Sequence, residues 1–295
     1  MKKTIFSPFY TINSKNELKY LNRHKVCKLP SEKEIKEDIL KKEGVLLSYY
    51  RTKKCDSTVL VLEPHADDFA LSALAYCIDR YNVEVLNIFS KTTLKFFPWI
   101  DKIKLTSEEY EKIRLCESNL VIKTMLNQKF ISLKEESVRI TKKTLEYIEK
   151  RIISNVENIL KTNQLIDTIL LPMGIGNHPD HMIVYSAIMN NYSKFKKYNI
   201  VLYPEYPYAR CKKSYSERFN NISNKYKLNS VLIPIENRVD IIADCISAYR
   251  SQFDDINREQ MLAIIKEDSW AISQEYGVDK LSLVYFEVEA VKNEN

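Results

Sequence analysis

Three of the four histidines in this 295-residue chain sit in two short acidic motifs. The first is Pro64-His65-Ala66-Asp67-Asp68 and the second is Asn177-His178-Pro179-Asp180-His181. Each follows an apolar run, Thr58-Val59-Leu60-Val61-Leu62-Glu63 or Thr168-Ile169-Leu170-Leu171-Pro172. Imidazoles and carboxylates delivered from strand ends are the donors of a mononuclear metal site. His65 and Asp68, three apart at a strand-to-helix turn, can face one point. His181 completes a set of two histidines and one carboxylate, with positions left for water and substrate. That set suits Zn2+, and Fe2+ or Co2+ are accepted by the same donors. Such an ion lowers the pKa of a bound water from ~15.7 toward ~7 and polarises a carbonyl. Asp67 lies where it can take the proton. His178 can stabilise a developing oxyanion or protonate a leaving amine. Asp180 is placed to orient a histidine. If the two motifs meet in space, the chemistry is metal-dependent hydrolysis.

The elements that must bring them together alternate. Residues 58–63, 83–89, 129–133, 167–171 and 200–203 read as strands, and 69–80, 107–126, 141–162 and 182–195 as helices. This βαβα order predicts an α/β protein with a mainly parallel sheet and helices on both faces. In such sheets ligands bind outside the carboxyl ends of the strands, where both histidine motifs fall. Toward the C-terminus, 231–235 reads as a strand, 239–253 as a helix and 281–291 as a terminal strand. The division expected is an N-terminal extension over 1–56, with a charged helix near 31–42 and a strand near 45–51, packed on a core domain over 57–295. Two of the four glycines, Gly174 and Gly176, precede the second motif and predict an irregular loop there.

Composition narrows the class. A hydrophobic content of 45% and a charged content of 28% describe an ordinary globular protein. Mean hydropathy is −0.33, and no stretch approaches the ~20 apolar residues of a membrane span. Ser7-Pro8 breaks the apolar stretch behind Met1-Lys2-Lys3, which argues against a signal peptide and for a cytoplasmic protein. The six cysteines form no C-x-x-C pair, so they read as reduced structural thiols. A net charge of +6 is spread over lysine-rich stretches without an arginine stripe, which disfavours a nucleic-acid partner. Nothing in the sequence opposes a homo-oligomer.

The two motifs resemble the P-H-P-D-D and H-P-D-H motifs of the PIG-L/LmbE-like superfamily of zinc-dependent N-acetylglucosaminyl de-N-acetylases. Arg114 and Glu117 are similar to that family's R-x-x-E helix. Tyr203-Pro204-Glu205-Tyr206-Pro207-Tyr208 is similar to its tyrosine- and proline-rich segment, and Tyr249-Arg250-Ser251-Gln252 to its Y-x-S-Q helix. The resemblance runs from about residue 57 to the C-terminus. It implies a Rossmann-like fold, zinc on His65, Asp68 and His181, Asp67 as general base and His178 as its electrophilic or acid partner. It also implies a small-molecule N-acetylated amino sugar or glycoconjugate as substrate. Ala66 stands where the family usually has proline, and Phe69 where an acidic residue is frequent.

Each residue also has a plainer reading. An Asp pair opening a helix is often an N-cap. Arg114 and Glu117, at i, i+3, could form only a helix ion pair, whereas the resemblance makes Arg114 a substrate contact. Trp99, in the loop Phe96-Phe97-Pro98-Trp99, and Tyr206 and Tyr208 could stack on a sugar or serve as packing. Iron(II) oxygenases use the same ligand set but sit on all-β barrels. A non-catalytic sugar-binding protein on the same fold would not need Asp67 and His181 intact. No G-x-G-x-x-G follows the first strand, which removes a dinucleotide site.

Overall fold

The computed structural model describes residues 57–78, 82–91, 106–126, 128–139, 141–253 and 258–291, and the backbone of three short N-terminal strands. Those strands, β1 (Ile5–Phe6), β2 (Tyr10–Ile12) and β3 (Leu18–Tyr20), form an antiparallel meander that the sequence pattern did not suggest. The helix expected near 31–42 and the strand near 45–51 lie outside the described residues.

The apolar runs become one seven-stranded sheet. Its strands are β4 (Thr58–Glu63), β5 (Asn82–Lys91), β6 (Lys129–Glu136), β7 (Ile166–Pro172), β8 (Asn199–Tyr203), β9 (Tyr226–Pro234) and β10 (Ser282–Val291). Across the sheet the order is β6-β5-β4-β7-β8-β10-β9. Every pair from β6 to β8 is parallel, and β10 runs antiparallel to both β8 and β9. The fold is therefore α/β with a mainly parallel sheet and an antiparallel edge.

β4 reads as a continuous apolar run because both its faces are covered. Val59 and Val61 face one apolar cluster and Leu60 and Leu62 the other, the two-residue period of a strand. On the first face lies α1, which opens as a π-turn at Phe69–Ala73 and continues at Leu74–Cys77. With it pack α2 (Ser107–Asn119, continued by a π-turn at Leu120–Met125), α6 (Val239–Ser247) and α8 (Arg258–Glu275). The second face carries α3 (Leu145–Thr162) and α4 (Pro179–Met189), with Ile222 of α5 (Lys212–Ser223). Thr106 closes a capping box with Glu109 at the start of α2. Thr144 caps α3, whose buried Ile148, Ile152 and Val156 recur every four residues.

Two expected helices are corrected. The helix anticipated from 182 starts at Pro179, because proline fits the first helical position and His178 caps it. The helix anticipated over 239–253 divides into α6 and α7 (Arg250–Phe253).

The topology fixes where a site can form. From β4 the chain moves to β5 and β6 on one side. It then returns through α3 to β7 on the other side of β4. The winding reverses between β4 and β7, and the crevice at their carboxyl ends is the topological switch point. Both histidine motifs emerge into it. Among the described residues, no helix is long and apolar enough to cross a membrane.

Candidate metal centre and active site

The loop after β4 is a tight turn in which the backbone N–H groups of Asp67 and Asp68 both donate to the His65 carbonyl. Asp68 does not cap α1. Its Oδ2 accepts from the His65 N–H at 2.8 Å, while Glu63 Oε1 accepts the Phe69 N–H at the helix start. The helix-cap reading of the Asp pair therefore fails, and Asp68 is free to face the crevice. Phe69 is fully buried in the core, so apolar packing is what that position supplies.

The loop after β7 turns through Gly174, Gly176 and Asn177, all with positive φ. Gly174 is confined as well as left-handed: a Cβ there would stand 2.6 Å from Met182 Sδ. His178 then caps α4, its Nδ1 accepting the Asp180 N–H at 3.3 Å. His181 follows on the first turn, with no solvent exposure.

The two loops meet. His181 Nε2 lies 3.2 Å from His65 Nδ1 and 3.5 Å from Asp68 Oδ2, and His65 Nδ1 lies 3.8 Å from Asp68 Oδ2. Donors at ~2.0–2.2 Å from a tetrahedral zinc stand roughly 3.3–3.5 Å apart, so this triangle fits such an ion. A looser triangle, with His178 in place of Asp68, has its ligand atoms within 4.8 Å of one another. The tighter set includes a carboxylate and leaves His178 to its capping role.

The outward-facing nitrogens are held by acids. His65 Nε2 pairs with Asp180 Oδ2 at 2.8 Å, and His181 Nδ1 with Glu205 Oε1 at 3.1 Å. In the neutral form of each ring the carboxylate keeps the proton on the nitrogen it touches, which leaves His65 Nδ1 and His181 Nε2 as lone-pair donors. Asp180 is itself fixed by the Val138 N–H at 2.7 Å, and Glu205 by the Gly174 N–H at 2.5 Å. The expectation for Asp180 fits this geometry. Glu205 received no role from sequence reasoning, although its place directly beyond β8, at the same crevice, is a usable signal.

Buried negative charge is in excess here. Burial disfavours protonation of His181, but Asp68 and Glu205 outweigh it and push its pKa up to about 9. In other words, the site pulls a positive charge into this position. Burial works against the Asp180 carboxylate too, yet the bonds from His65, Ser137 and Val138 hold it at about 2. Burial lowers the pKa of His65.

Asp67 stands beside the triangle. Arg114, 3% exposed, donates to its Oδ1 at 2.7 Å. The plain helix ion pair with Glu117 is not what forms. Glu117 instead accepts from the Ser251 N–H at 2.8 Å and the Ser251 hydroxyl at 2.5 Å. A cavity of about 180 Å³ opens over Asp67 and the triangle, and Arg114, His178, Tyr206, Tyr208 and Gln252 also line it. Trp99 and its loop lie outside the described residues.

No family model matches the chain, and no curated protein sequence matches it significantly. Solved structures do. Teicoplanin deacetylase Orf2, in its zinc-inhibited form, superposes with a TM-score of 0.60 at 14% identity, over 81% of this chain and 100% of its own. N,N'-diacetylchitobiose deacetylase from Pyrococcus horikoshii gives 0.52 at 17%, over 88% and 94%. The 4-carboxy-2-hydroxymuconate hydratase GalB from Pseudomonas putida gives 0.52 at 12%, over 81% and 97%. In fold, this chain is similar to these two deacetylases and to the hydratase.

Proposed function

We propose that the chain is a metal-dependent hydrolase that removes an N-acetyl or related N-acyl group from an amino-sugar-containing substrate. The observation that carries this reading is the convergence of His65 Nδ1, His181 Nε2 and Asp68 Oδ2, at 3.2–3.8 Å from one another, beside Asp67. His65, Asp68 and His181 would hold Zn2+, with Fe2+ or Co2+ as alternatives for the same donors. Such an ion, when bound, polarises a carbonyl and acidifies a coordinated water.

The remaining steps belong to the chain's own residues. Asp67 is the general base. Arg114 pins its Oδ1, so Oδ2 is the oxygen left to take a proton from the attacking water. Burial raises the pKa of Asp67 against the pull of Arg114, which strengthens it as a proton acceptor. The proton then passes from Asp67 to the departing amine. His178 accepts a backbone N–H on Nδ1, so its own proton sits on Nε2. Burial, with His65 and His181 nearby, pushes its pKa down to about 3. A neutral imidazole of this kind donates a hydrogen bond to the oxygen on which charge develops.

Deacetylases of the same fold support the choice of an acyl amide, and the motif resemblance supports an amino sugar. A hydratase shares the fold as well, so the fold alone does not select the reaction. The pinned Asp67 beside an intact donor triangle disfavours a purely sugar-binding role. The test is acetate release from N-acetylglucosamine and a panel of its conjugates. It compares chelated protein with protein reloaded with Zn2+, Fe2+ or Co2+. Release that depends on the metal supports the reading. No release at full metal occupancy refutes it and turns attention to hydration or binding.

A further inference from the structure

Gln252 belongs to the Tyr249-Arg250-Ser251-Gln252 motif, and neither the metal triangle nor the proton relay uses it. Its side chain is 5% exposed yet lines the cavity beside Asp67 and Arg114. Its amide nitrogen lies 2.5 Å from the Tyr110 hydroxyl and 3.2 Å from the Ser251 carbonyl. A backbone carbonyl can only accept, so the atom facing it must be the NH2 group, which fixes the orientation of the amide. Both its N–H bonds are thereby committed, to the Tyr110 oxygen and the Ser251 carbonyl. Among the described residues no donor reaches the Gln252 carbonyl oxygen, which is left available to the cavity that Gln252 lines. An acceptor that opens on a cavity while its amide nitrogen is held is pre-positioned to take a hydrogen bond from a ligand.

The surroundings hold this oxygen in place. Ser251 is anchored to Glu117 through both its N–H and its hydroxyl, which ties α7 to α2. Besides the metal triangle, the polar groups lining the cavity are Arg114 and His178, both donors, Asp67, an acceptor, and the hydroxyls of Tyr206 and Tyr208, which can do either. Gln252 thus adds an uncharged amide acceptor to a cavity that also holds the triangle.

Resting on the deacetylation reading, we propose that Gln252 is a specificity-determining residue. Its carbonyl oxygen accepts a hydrogen bond from an O–H or N–H donor of the substrate flanking the scissile amide. The experiment uses the methyl glycoside of N-acetylglucosamine, its monodeoxy analogues and the 2-O-acetyl ester, which lacks the N–H. Wild type and Gln252→Met, both metal-loaded, are compared by kcat/KM and by calorimetric affinity. With the parent sugar, Gln252→Met should lose about 10- to 100-fold, the usual consequence of leaving a buried donor unpaired. That loss should vanish for the one analogue that lacks the recognised donor: a deoxy sugar if it is a hydroxyl, the ester if it is the amide N–H. The wild-type protein supplies an arm that needs no variant, because the same analogue should fall at least ~10-fold below the parent. An equal loss against every member of the series would overturn the proposal and leave Gln252 a packing residue. Acetate release by wild type reads the deacetylation separately. If none occurs, the affinities still report on Gln252, and absence of any sugar binding overturns both.

Discussion

At the scale of single residues, the site divides labour between atoms that face its centre and atoms that aim them. Asp67 has one oxygen held by Arg114 and one free, which suits a base with a fixed direction. Asp67→Asn keeps the Arg114 contact on the remaining oxygen but cannot take a proton. It should retain stoichiometric metal and lose about 10²–10⁴ in kcat, measured by metal analysis alongside turnover. Wild-type-like turnover would remove Asp67 from the proton relay. Glu205 acts through His181, with no solvent on either group. Glu205→Gln should weaken metal affinity about 10- to 100-fold, read by competition with a chelator, while the His181 ligand itself is still present. An unchanged affinity would mean that the bond does not orient the ring.

At the scale of elements, buried polar contacts lock the helices to one another around the cavity. Glu117 links α2 to the Ser251 N–H and hydroxyl of α7. Burial pushes its pKa up to about 8, against the bonds from Ser251 and the charge of Arg114. The folded state therefore holds a proton that the unfolded chain releases near the ordinary value of about 4.5. Its contribution to stability is whole below that value and is lost as pH rises toward about 8. Glu117→Gln should accordingly gain in melting temperature relative to wild type between pH 5 and pH 8. A gain that does not grow with pH would contradict the assignment.

The same scale explains what was legible in the sequence. Continuous apolar runs such as β4 and β7 were readable because both sheet faces are covered. The helix expected from 107 begins there, behind the cap Thr106, whereas the one expected from 141 begins only at Leu145, behind the cap Thr144. α8 escaped notice because its buried stripe includes Ser269 and Ser273 beside Met261 and Ile265. Those hydroxyls bond back to the carbonyls of Ile265 and Ser269, so burial there carries no apolar signature. α5 buries only Ile222 and reads as polar throughout. The residues that converge in the crevice were visible from their types and spacing. Glu205 and Gln252 were quoted within motifs but given no role, because a role for either depends on contacts between distant segments.

At the scale of the whole molecule, the sheet order brings loops more than a hundred residues apart into one crevice, and both apolar clusters rigidify the strands beneath it. Metal binding should therefore stabilise the fold as a unit. With free metal at about 1,000 times its Kd, the linkage is about 4 kcal/mol, or roughly 8–16 °C in Tm for a domain of this size. Chelation followed by calorimetry should show that loss, and restored metal should reverse it. A melting temperature indifferent to chelator, with metal shown to have left, would mean that the ion is not integral to the crevice.

The most direct test of the account is anomalous diffraction at the absorption edge of the ion in crystals of the metal-loaded protein. One peak is expected within bonding distance of His65 Nδ1, His181 Nε2 and Asp68 Oδ2, with Asp67 beside it but not ligating. A peak held by His65, His178 and His181 with Asp68 turned away, or no peak in the crevice at all, would contradict it.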